Sequence, residues 1–331
     1  MLSIAAAVLV GATACGGTSP TSPSTPATTA GTTPATTVTQ AACATWAATQ
    51  RATGVPAGRG EVQTQRESLY AAGGGVRAVN SRYFAMWFPS SWAASSTRRV
   101  LIGLHGTGGA PETEWSVDWK DILSARGWAY IGLKYVDDTT GVHDDDSTIY
   151  TNIKAMIDEV TRSCAYGSPS MFLVGFSRGS AESFPVTYRD LKDRRMFKAT
   201  GNNSGSWSPG GPMVPVMEDI AARGETSAYS SAKFWMYCGA LDSVQGWPMC
   251  DGMRMARTWI TSYGGYVERL YEDPTAHMAG SPRTPTLGAR CSVTSKACAD
   301  AANGSAAASA GGRRAYCCWR AGVAVGAGAK A

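Results

Sequence analysis

The chain has 331 residues, of which 44% are hydrophobic and 17% charged, so it can bury a sizeable core, and disordered, collagen-like and coiled-coil architectures are excluded. The formal net charge of +5 arises in residues 283–331, which hold seven Lys and Arg side chains against a single Asp. The remainder is close to neutral, which excludes nucleic acid as the expected partner, because nucleic-acid-binding domains carry a basic face.

The N-terminus predicts export. An almost continuous apolar run at residues 2–10 is too short to span a bilayer and is followed by small residues that end at Cys15. We therefore interpret residues 1–14 as a signal peptide. The motif Ala-Thr-Ala-Cys also resembles a bacterial lipobox, so the sequence predicts a lipid on Cys15 that attaches the protein to a membrane. Cleavage without lipidation is the alternative.

Residues 15–42 form a predicted linker. Between Thr18 and Gln40, 17 of 23 residues are Thr, Ser or Pro, a composition that cannot bury apolar surface and stays extended and solvated. A tether behind an export signal predicts a protein that is secreted or held on the outer surface of a bacterial envelope.

Nine cysteines in an exported chain favour disulfide bonds. Cys238 and Cys250 flank one short loop and are the first predicted pair, whereas the pairing of the others is open. A metal cluster is the alternative, but the sequence has no Cys-x-x-Cys pair and no nearby His to support it.

Residues 43–282 alternate between strand and helix signals. Short apolar runs predict seven strands, at 83–88, 100–104, 128–135, 171–174, 197–200, 234–237 and 266–271. Apolar residues recur at helical spacing in three segments, at 115–123, 149–160 and 253–263. This alternation predicts an α/β domain with a mostly parallel sheet, helices on both faces, and ligands at the carboxyl ends of the strands.

The predicted strand at 100–104 runs into the loop His105-Gly-Thr107-Gly-Gly109. Acyl transfer needs N–H donors directed at the oxygen that becomes negative, and a Gly-rich loop lets backbone amides approach that oxygen. We assign the backbone amides of Thr107 and Arg178 as the two oxyanion donors, and we expect His105 to order the loop rather than to act as a base. A phosphate-binding loop is the alternative, but the motif that defines it is absent.

The motif Gly175-Phe-Ser177-Arg-Gly179 follows an apolar strand and precedes a helix-like segment that starts near Arg178. A Ser on a sharp turn from strand to helix leaves no room for side chains at the flanking positions, which explains the two glycines. This context favours Ser177 as a nucleophile over an unreactive Gly- and Ser-rich turn.

A serine nucleophile needs a base, and the chain has three histidines. His105 lies in the Gly-rich loop and His143 follows an early strand. His277 follows the last predicted strand on a turn-prone loop, so it is the predicted base.

The acid that orients the base is predicted to be Asp242, just past the strand at 234–237, with Asp251 and Asp273 as alternatives. The resulting order along the chain is Ser177, Asp242, His277. This order is the one found in α/β-hydrolases.

These motifs resemble those of the exported α/β-hydrolases that include poly(3-hydroxybutyrate) depolymerases, feruloyl esterases and acetylxylan esterases. The resemblance covers roughly residues 83–280 and depends on His105-Gly106, the motif around Ser177, Asp242 and His277. It implies the α/β-hydrolase fold and hydrolysis of carboxylic esters without a cofactor. The short intervals between the three predicted catalytic residues leave no room for a large lid domain.

Two tryptophans, Trp207 and Trp247, lie in loops that follow predicted strands at the catalytic edge. Large rings suit sugar faces, phenolic acids or polyester repeats, whereas packing in the core is the alternative. The predicted substrate is therefore an aromatic or polymeric ester. A serine peptidase on the same fold and a non-catalytic, carbohydrate-binding envelope lipoprotein are the alternative functions.

Two further segments carry weaker signals. The run Asp144–Asp146 predicts the start of a helix, with a Ca²⁺ site as the alternative. Residues 283–331 are rich in Gly and Ala, contain four cysteines, and form a predicted tail outside the catalytic domain.

Overall fold

The computed structural model describes residues 42–51, 55, 60–95, 97–164, 166–244 and 246–274. These include one sheet of eight strands: β1 (Gly75–Val79), β2 (Arg82–Trp87), β3 (Arg99–Leu104), β4 (Ala129–Lys134), β5 (Ser170–Phe176), β6 (Phe197–Asn203), β7 (Lys233–Gly239) and β10 (Tyr266–Asp273). Their order across the sheet is β1-β2-β4-β3-β5-β6-β7-β10. The strands from β4 to β10 in this order are parallel, and β2 pairs antiparallel with both β1 and β4. A small hairpin, β8 (Ser243–Val244) and β9 (Trp247–Pro248), follows β7.

Two helices precede β1, and the other helices lie between later strands. The helices are α1 (Ala42–Thr49), α2 (Glu61–Ala71), α3 (Ser90–Ala94), α4 (Pro111–Thr113), α5 (Lys120–Arg126), α6 (Asp146–Ser163), α7 (Arg178–Lys192), α8 (Met213–Ala222) and α9 (Met249–Ser262), with a π-helical segment at Glu114–Trp119. The order and direction of the elements are those of the α/β-hydrolase fold that the sequence predicts. Between β6 and β10 the described residues hold only α8, β7, the small hairpin and α9, so no lid domain is inserted there.

All seven predicted strands are present, and each of the three predicted helical segments is helical. The segment that contains Trp115 and Trp119 begins as a π-helix and continues as α5. Strand β1 was not predicted. It has five residues, starts at Gly75 and carries Arg77 at its centre, so it lacks an extended apolar run.

The sheet is covered on both faces because successive side chains of its strands point to opposite sides. In β3, Ile102 packs into the apolar cluster that also contains Ile153 of α6. The adjacent Leu101 packs into a second cluster, with Trp115 and Trp119. The predicted helical segments at 149–160 and 115–123 therefore cover opposite faces of the sheet.

Two disulfides occur in the described residues. Cys238–Cys250 closes the loop that contains the β8–β9 hairpin, as the sequence predicts. Cys43–Cys164 joins α1 to the C-terminal end of α6, a pairing that the sequence left open. The remaining cysteines, Cys15, Cys291, Cys298, Cys317 and Cys318, lie outside the described residues.

Several sequence predictions concern residues that the structure does not describe. These are the signal peptide at 1–14, almost the whole linker at 15–42, the predicted base His277 and the tail at 283–331. Within the described residues, no helix has both the length and the apolar character needed to cross a membrane.

Candidate active site

Ser177 lies at the sharp turn between β5 and α7, with φ 51° and ψ −118°. Two glycines allow this turn. A Cβ atom on Gly175 would overlap the carbonyl oxygen of Gly179, and a Cβ atom on Gly179 would overlap the carbonyl oxygen of Leu104. The geometry therefore agrees with the prediction that these two positions leave no space for side chains.

Strand β6 supports the turn from one side. The Ser177 amide donates a hydrogen bond of 2.8 Å to the carbonyl oxygen of Asn203. Just beyond β6, a Cβ atom on Gly205 would overlap the carbonyl oxygen of Ser177. Gly205 was not singled out from the sequence, because only the neighbouring position of β5 and β6 in the sheet makes this glycine necessary.

The Gly-rich loop after β3 supports the turn from the other side. A Cβ atom built on Gly106 would lie 3.2 Å from the Cβ atom of Ser177, so the loop contacts the candidate nucleophile. Thr107 follows Gly106 and is exposed. Arg178 is the first residue of α7, where backbone amides lack partners inside the helix. Of the two predicted oxyanion donors, Arg178 directly follows Ser177 along the chain, and Thr107 belongs to the loop that lies beside Ser177 in space.

His105 is completely buried, and burial lowers its pKa to about 3. Its Nδ1 lies 2.7 Å from the carbonyl oxygen of Gly106, which can only accept, so the neutral ring carries its proton on Nδ1. The ring stacks on Tyr135 with centroids 4.5 Å apart. These contacts are those expected of a residue that orders the loop.

Asp242 follows β7 and is 6% exposed. Its backbone amide donates to Gly239, and its carbonyl oxygen accepts a 2.9 Å hydrogen bond from the amide of Met249, the first residue of α9. The loop that presents Asp242 is therefore held at both ends.

The alternative acids have different surroundings. Asp251 lies at the surface with its carboxylate 2.5 Å from Arg254. Asp273 is buried at the end of β10 and accepts a 3.3 Å hydrogen bond from the hydroxyl group of Tyr237. Asp273 lies opposite Gly239 in the parallel pair of β7 and β10. The chain therefore leaves β10 beside the loop of Asp242, four residues before His277, which itself lies outside the described residues.

Trp207 and Trp247 contact each other, with ring centroids 5.1 Å apart and planes inclined by 65°. Both side chains are half-buried. Within the described residues, Nε1 of Trp247 is buried without a hydrogen-bond partner. The two predicted substrate-binding rings thus form one aromatic pair that joins the loop after β6 to the hairpin after β7.

The side chain of Arg178 makes a contact that the sequence did not indicate. Its Nε donates a 2.7 Å hydrogen bond to Oε1 of Glu182, whose side chain is 1% exposed. Burial is the main reason that the pKa of Glu182 rises to about 7. The i,i+4 spacing on α7 was visible in the sequence, whereas the burial that makes the pair unusual was not.

The three carboxylates of the run Asp144–Asp146 have separate partners. Asp145 caps α6 by accepting a 2.8 Å hydrogen bond from the amide of Thr148. Asp144 pairs with Arg82 at 2.6 Å, and Asp146 pairs with Arg189. The run therefore begins a helix, and within the described residues no group of three or more His, Cys, Asp or Glu side chains is arranged to hold a metal ion.

No protein-family model matches the chain, and no curated protein matches it. Among solved structures, the chain is similar to Est1E from Butyrivibrio proteoclasticus, at 15% identity over 62% of this chain and 90% of that chain, with a TM-score of 0.44. It is also similar to a fungal esterase from Rhizomucor miehei, at 14% identity over 73% of this chain and 89% of that chain, with a TM-score of 0.46. A carboxyl esterase from Bacillus coagulans has 10% identity over 58% of this chain and 85% of that chain, with a TM-score of 0.42. Similarity at this level carries no information about the chemistry of the site.

Proposed function

We propose that this protein is a serine hydrolase of carboxylic esters. The observation that carries the proposal is the position of Ser177 on a strained turn from strand to helix, in contact with the Gly-rich loop that follows β3. A hydroxyl group presented in this way is accessible to a substrate carbonyl carbon and lies close to backbone amides that can bind the resulting oxyanion.

The proposed reaction has two halves. His277 accepts the proton of the Ser177 hydroxyl group as the Oγ atom attacks the ester carbonyl carbon, and the Thr107 and Arg178 amides bind the oxyanion. The tetrahedral species collapses, the C–O bond to the alcohol breaks, and His277 protonates the leaving alcohol. Water then attacks the acyl-enzyme by the same route and releases the acid, while Asp242 orients the imidazole throughout.

The alternatives are distinguished by one assay on the purified protein. We expect release of nitrophenol from short-chain p-nitrophenyl esters, and we expect Ser177→Ala to lower the rate by about 10³-fold or more. Ser230→Ala is the matched control, because Ser230 is an exposed serine on the loop before β7. Absence of hydrolysis by the unmodified protein would instead support the binding lipoprotein, and cleavage of anilides over esters would support the peptidase.

For the substrate, we propose aromatic or polymeric esters, of the feruloyl-polysaccharide or polyester type. The partly exposed pair of Trp207 and Trp247 supports this choice, because an exposed aromatic edge beside the loop of Asp242 can contact a planar or apolar substrate group.

Substitution of the aromatic pair tests this substrate proposal. We expect Trp207→Ala and Trp247→Ala to lower kcat/KM for methyl ferulate and polyhydroxybutyrate by about 10-fold, with a smaller loss for p-nitrophenyl acetate. Trp46→Ala, at a half-buried tryptophan of α1, is the control. Equal losses for the large substrates and the small one would contradict the proposal.

We further propose that the protein acts outside the cytoplasm, either secreted or attached to the bacterial envelope through a lipid on Cys15. The disulfides Cys43–Cys164 and Cys238–Cys250 support an oxidising compartment. Metabolic labelling with a radioactive fatty acid, with Cys15→Ala as the unlabelled control, tests the lipid attachment.

A further inference from the structure

Lys134 is a buried cation at the end of an otherwise apolar strand. It is the last residue of β4, and its side chain is 6% exposed. Its Nζ donates a 2.9 Å hydrogen bond to the carbonyl oxygen of Gly109 and lies 2.8 Å from the carboxylate of Asp138. Burial of an ammonium group is costly, and here the hydrogen bond to the Gly-rich loop and the ion pair with Asp138 offset that cost.

The Gly-rich loop is a tight turn that converges on one carbonyl oxygen. The amide of Gly109 donates a 3.0 Å hydrogen bond to the carbonyl oxygen of Gly106, and Nδ1 of His105 donates to the same oxygen at 2.7 Å. Between them, Gly108 has φ +71°, a conformation that favours glycine. Lys134 therefore holds Gly109, and the amide of Gly109 in turn holds the carbonyl oxygen of Gly106.

That carbonyl group determines the direction of the predicted oxyanion donor. The C=O of Gly106 and the N–H of Thr107 belong to one peptide unit, and in a trans peptide they point in opposite directions. Two donors that hold the Gly106 oxygen on one side thus direct the Thr107 N–H to the other side. A Cβ atom built on Gly106 would lie 3.2 Å from the Cβ atom of Ser177, so this peptide unit lies beside the candidate nucleophile.

The next residue of the chain holds the other end of the loop. The hydroxyl group of Tyr135 donates a 2.5 Å hydrogen bond to the carbonyl oxygen of His105. Tyr135, just beyond β4, therefore holds the first residue of the loop, His105, and Lys134, at the end of β4, holds the last, Gly109.

We propose that Lys134 is a positioning residue of the reaction, which holds Gly109 so that the Thr107 amide is directed at the oxyanion. This inference rests on the proposed esterase function. The Lys134 ammonium group does not touch the substrate, and its effect passes through the two hydrogen bonds at Gly109 and Gly106.

The test uses the full chain with Lys134→Met, which keeps an apolar stem and removes the donor. We expect kcat for a p-nitrophenyl ester to fall about 10- to 100-fold with KM within about twofold, because a displaced oxyanion donor weakens binding of the transition state and not of the ester. Affinity for a trifluoromethyl ketone, whose adduct with serine carries an oxyanion, should fall by the same factor. Lys134→Arg should restore most of both.

Lys154→Met is the matched control, since Lys154 also pairs with a carboxylate, that of Asp193, but lies on α6. If Lys134→Met does not fold, Lys134→Gln replaces it, because its polar side chain is one bond shorter and does not reach Gly109. Unchanged kcat and ketone affinity in these variants would overturn the proposal, as would a loss that Lys154→Met reproduces.

Hydrogen–deuterium exchange separates this proposal from the proposed function. Lys134→Met should speed exchange in peptides that cover residues 105–110, whether or not the protein hydrolyses esters. If Lys134→Met exchanges faster but the wild-type protein shows no Ser177-dependent hydrolysis, the esterase function and the catalytic role of Lys134 are overturned, whereas its contact with the loop is retained. Unchanged exchange in Lys134→Met would overturn the positioning role of Lys134 and leave the esterase function standing.

Discussion

Ser177 occupies a backbone conformation with positive φ, which a residue with a side chain adopts only when its surroundings enforce it. Three glycines make these close surroundings possible. Gly175 and Gly179 let the turn close on itself, and Gly205 lets β6 approach the carbonyl group of Ser177. The first two are part of a recognisable motif, whereas the third lies 28 residues from Ser177 and acquires its role only through the sheet.

Glu182 is a second residue whose role depends on its surroundings. Its pKa is about 7, raised from an ordinary value of 4.5 mainly by burial. Between these two pH values the folded protein binds a proton that the unfolded chain has released. Glu182 therefore makes its full contribution to the free energy of unfolding below about pH 4.5, and this contribution is lost as the pH rises through about 7.

This linkage predicts the behaviour of Glu182→Gln, which keeps the shape of the side chain and removes its titration. Relative to this variant, the wild-type protein should lose up to about 3 kcal/mol of unfolding free energy between pH 5 and pH 8, an order-of-magnitude value. His105 has the opposite effect, because its depressed pKa makes stability rise with pH up to its unfolded value. Since both proteins contain His105, the difference between their urea denaturation curves isolates Glu182. Parallel pH profiles would contradict the prediction.

Helix α2 shows why some elements escape prediction. Its buried residues are Gln65, Arg66 and Leu69, so its inner face is largely polar. The guanidinium group of Arg66 donates a 2.7 Å hydrogen bond to Glu112, which is fully buried. A helix that packs through such a pair has no apolar stripe, and its partner lies 46 residues away along the chain.

The two disulfides connect elements at different separations, 121 residues for Cys43–Cys164 and 12 for Cys238–Cys250. In the chain-entropy account, replacement of both cysteines by Ala should cost about 5 kcal/mol for the first pair and about 3 kcal/mol for the second. Loss of the second pair should lower kcat more than loss of the first, because Cys238–Cys250 closes the loop that carries Asp242. Denaturation curves and kcat of the two double variants provide the measurement. A larger loss of kcat in the Cys43–Cys164 variant would contradict this assignment.

The order of strands in the sheet assembles the candidate site. Strand β5 lies between β3 and β6, so the Gly-rich loop after β3 and the residues after β6 meet at Ser177. Strands β7 and β10 are parallel neighbours on the β6 side, so Asp242 and the chain that leads to His277 leave the sheet at the same edge. Parallel strands place their carboxyl ends together, which is why residues distant in sequence can act as one group.

The core of the described residues lies within the predicted domain at 43–282. The buried residues of its three apolar clusters extend from Cys43 of α1 to Ile260 of α9. We therefore expect residues 43–282, exported to an oxidising compartment, to fold alone and to retain kcat/KM within about twofold of the full chain. Size-exclusion chromatography and the p-nitrophenyl ester assay provide the measurement. An insoluble or inactive product would show that the boundaries are wrong.

The amino-acid sequence by itself determined the class of fold, the strand-to-helix motif at Ser177 and one disulfide, because apolar periodicity, flanking glycines and short loop spacing are local properties of a chain. Only the tertiary structure revealed the contacts of Lys134, Tyr135, Glu182 and Gly205. Their significance depends on burial and on contacts with backbone groups of other elements. Such contacts arise from the order in which strands lie side by side, and no pattern along the chain encodes them locally.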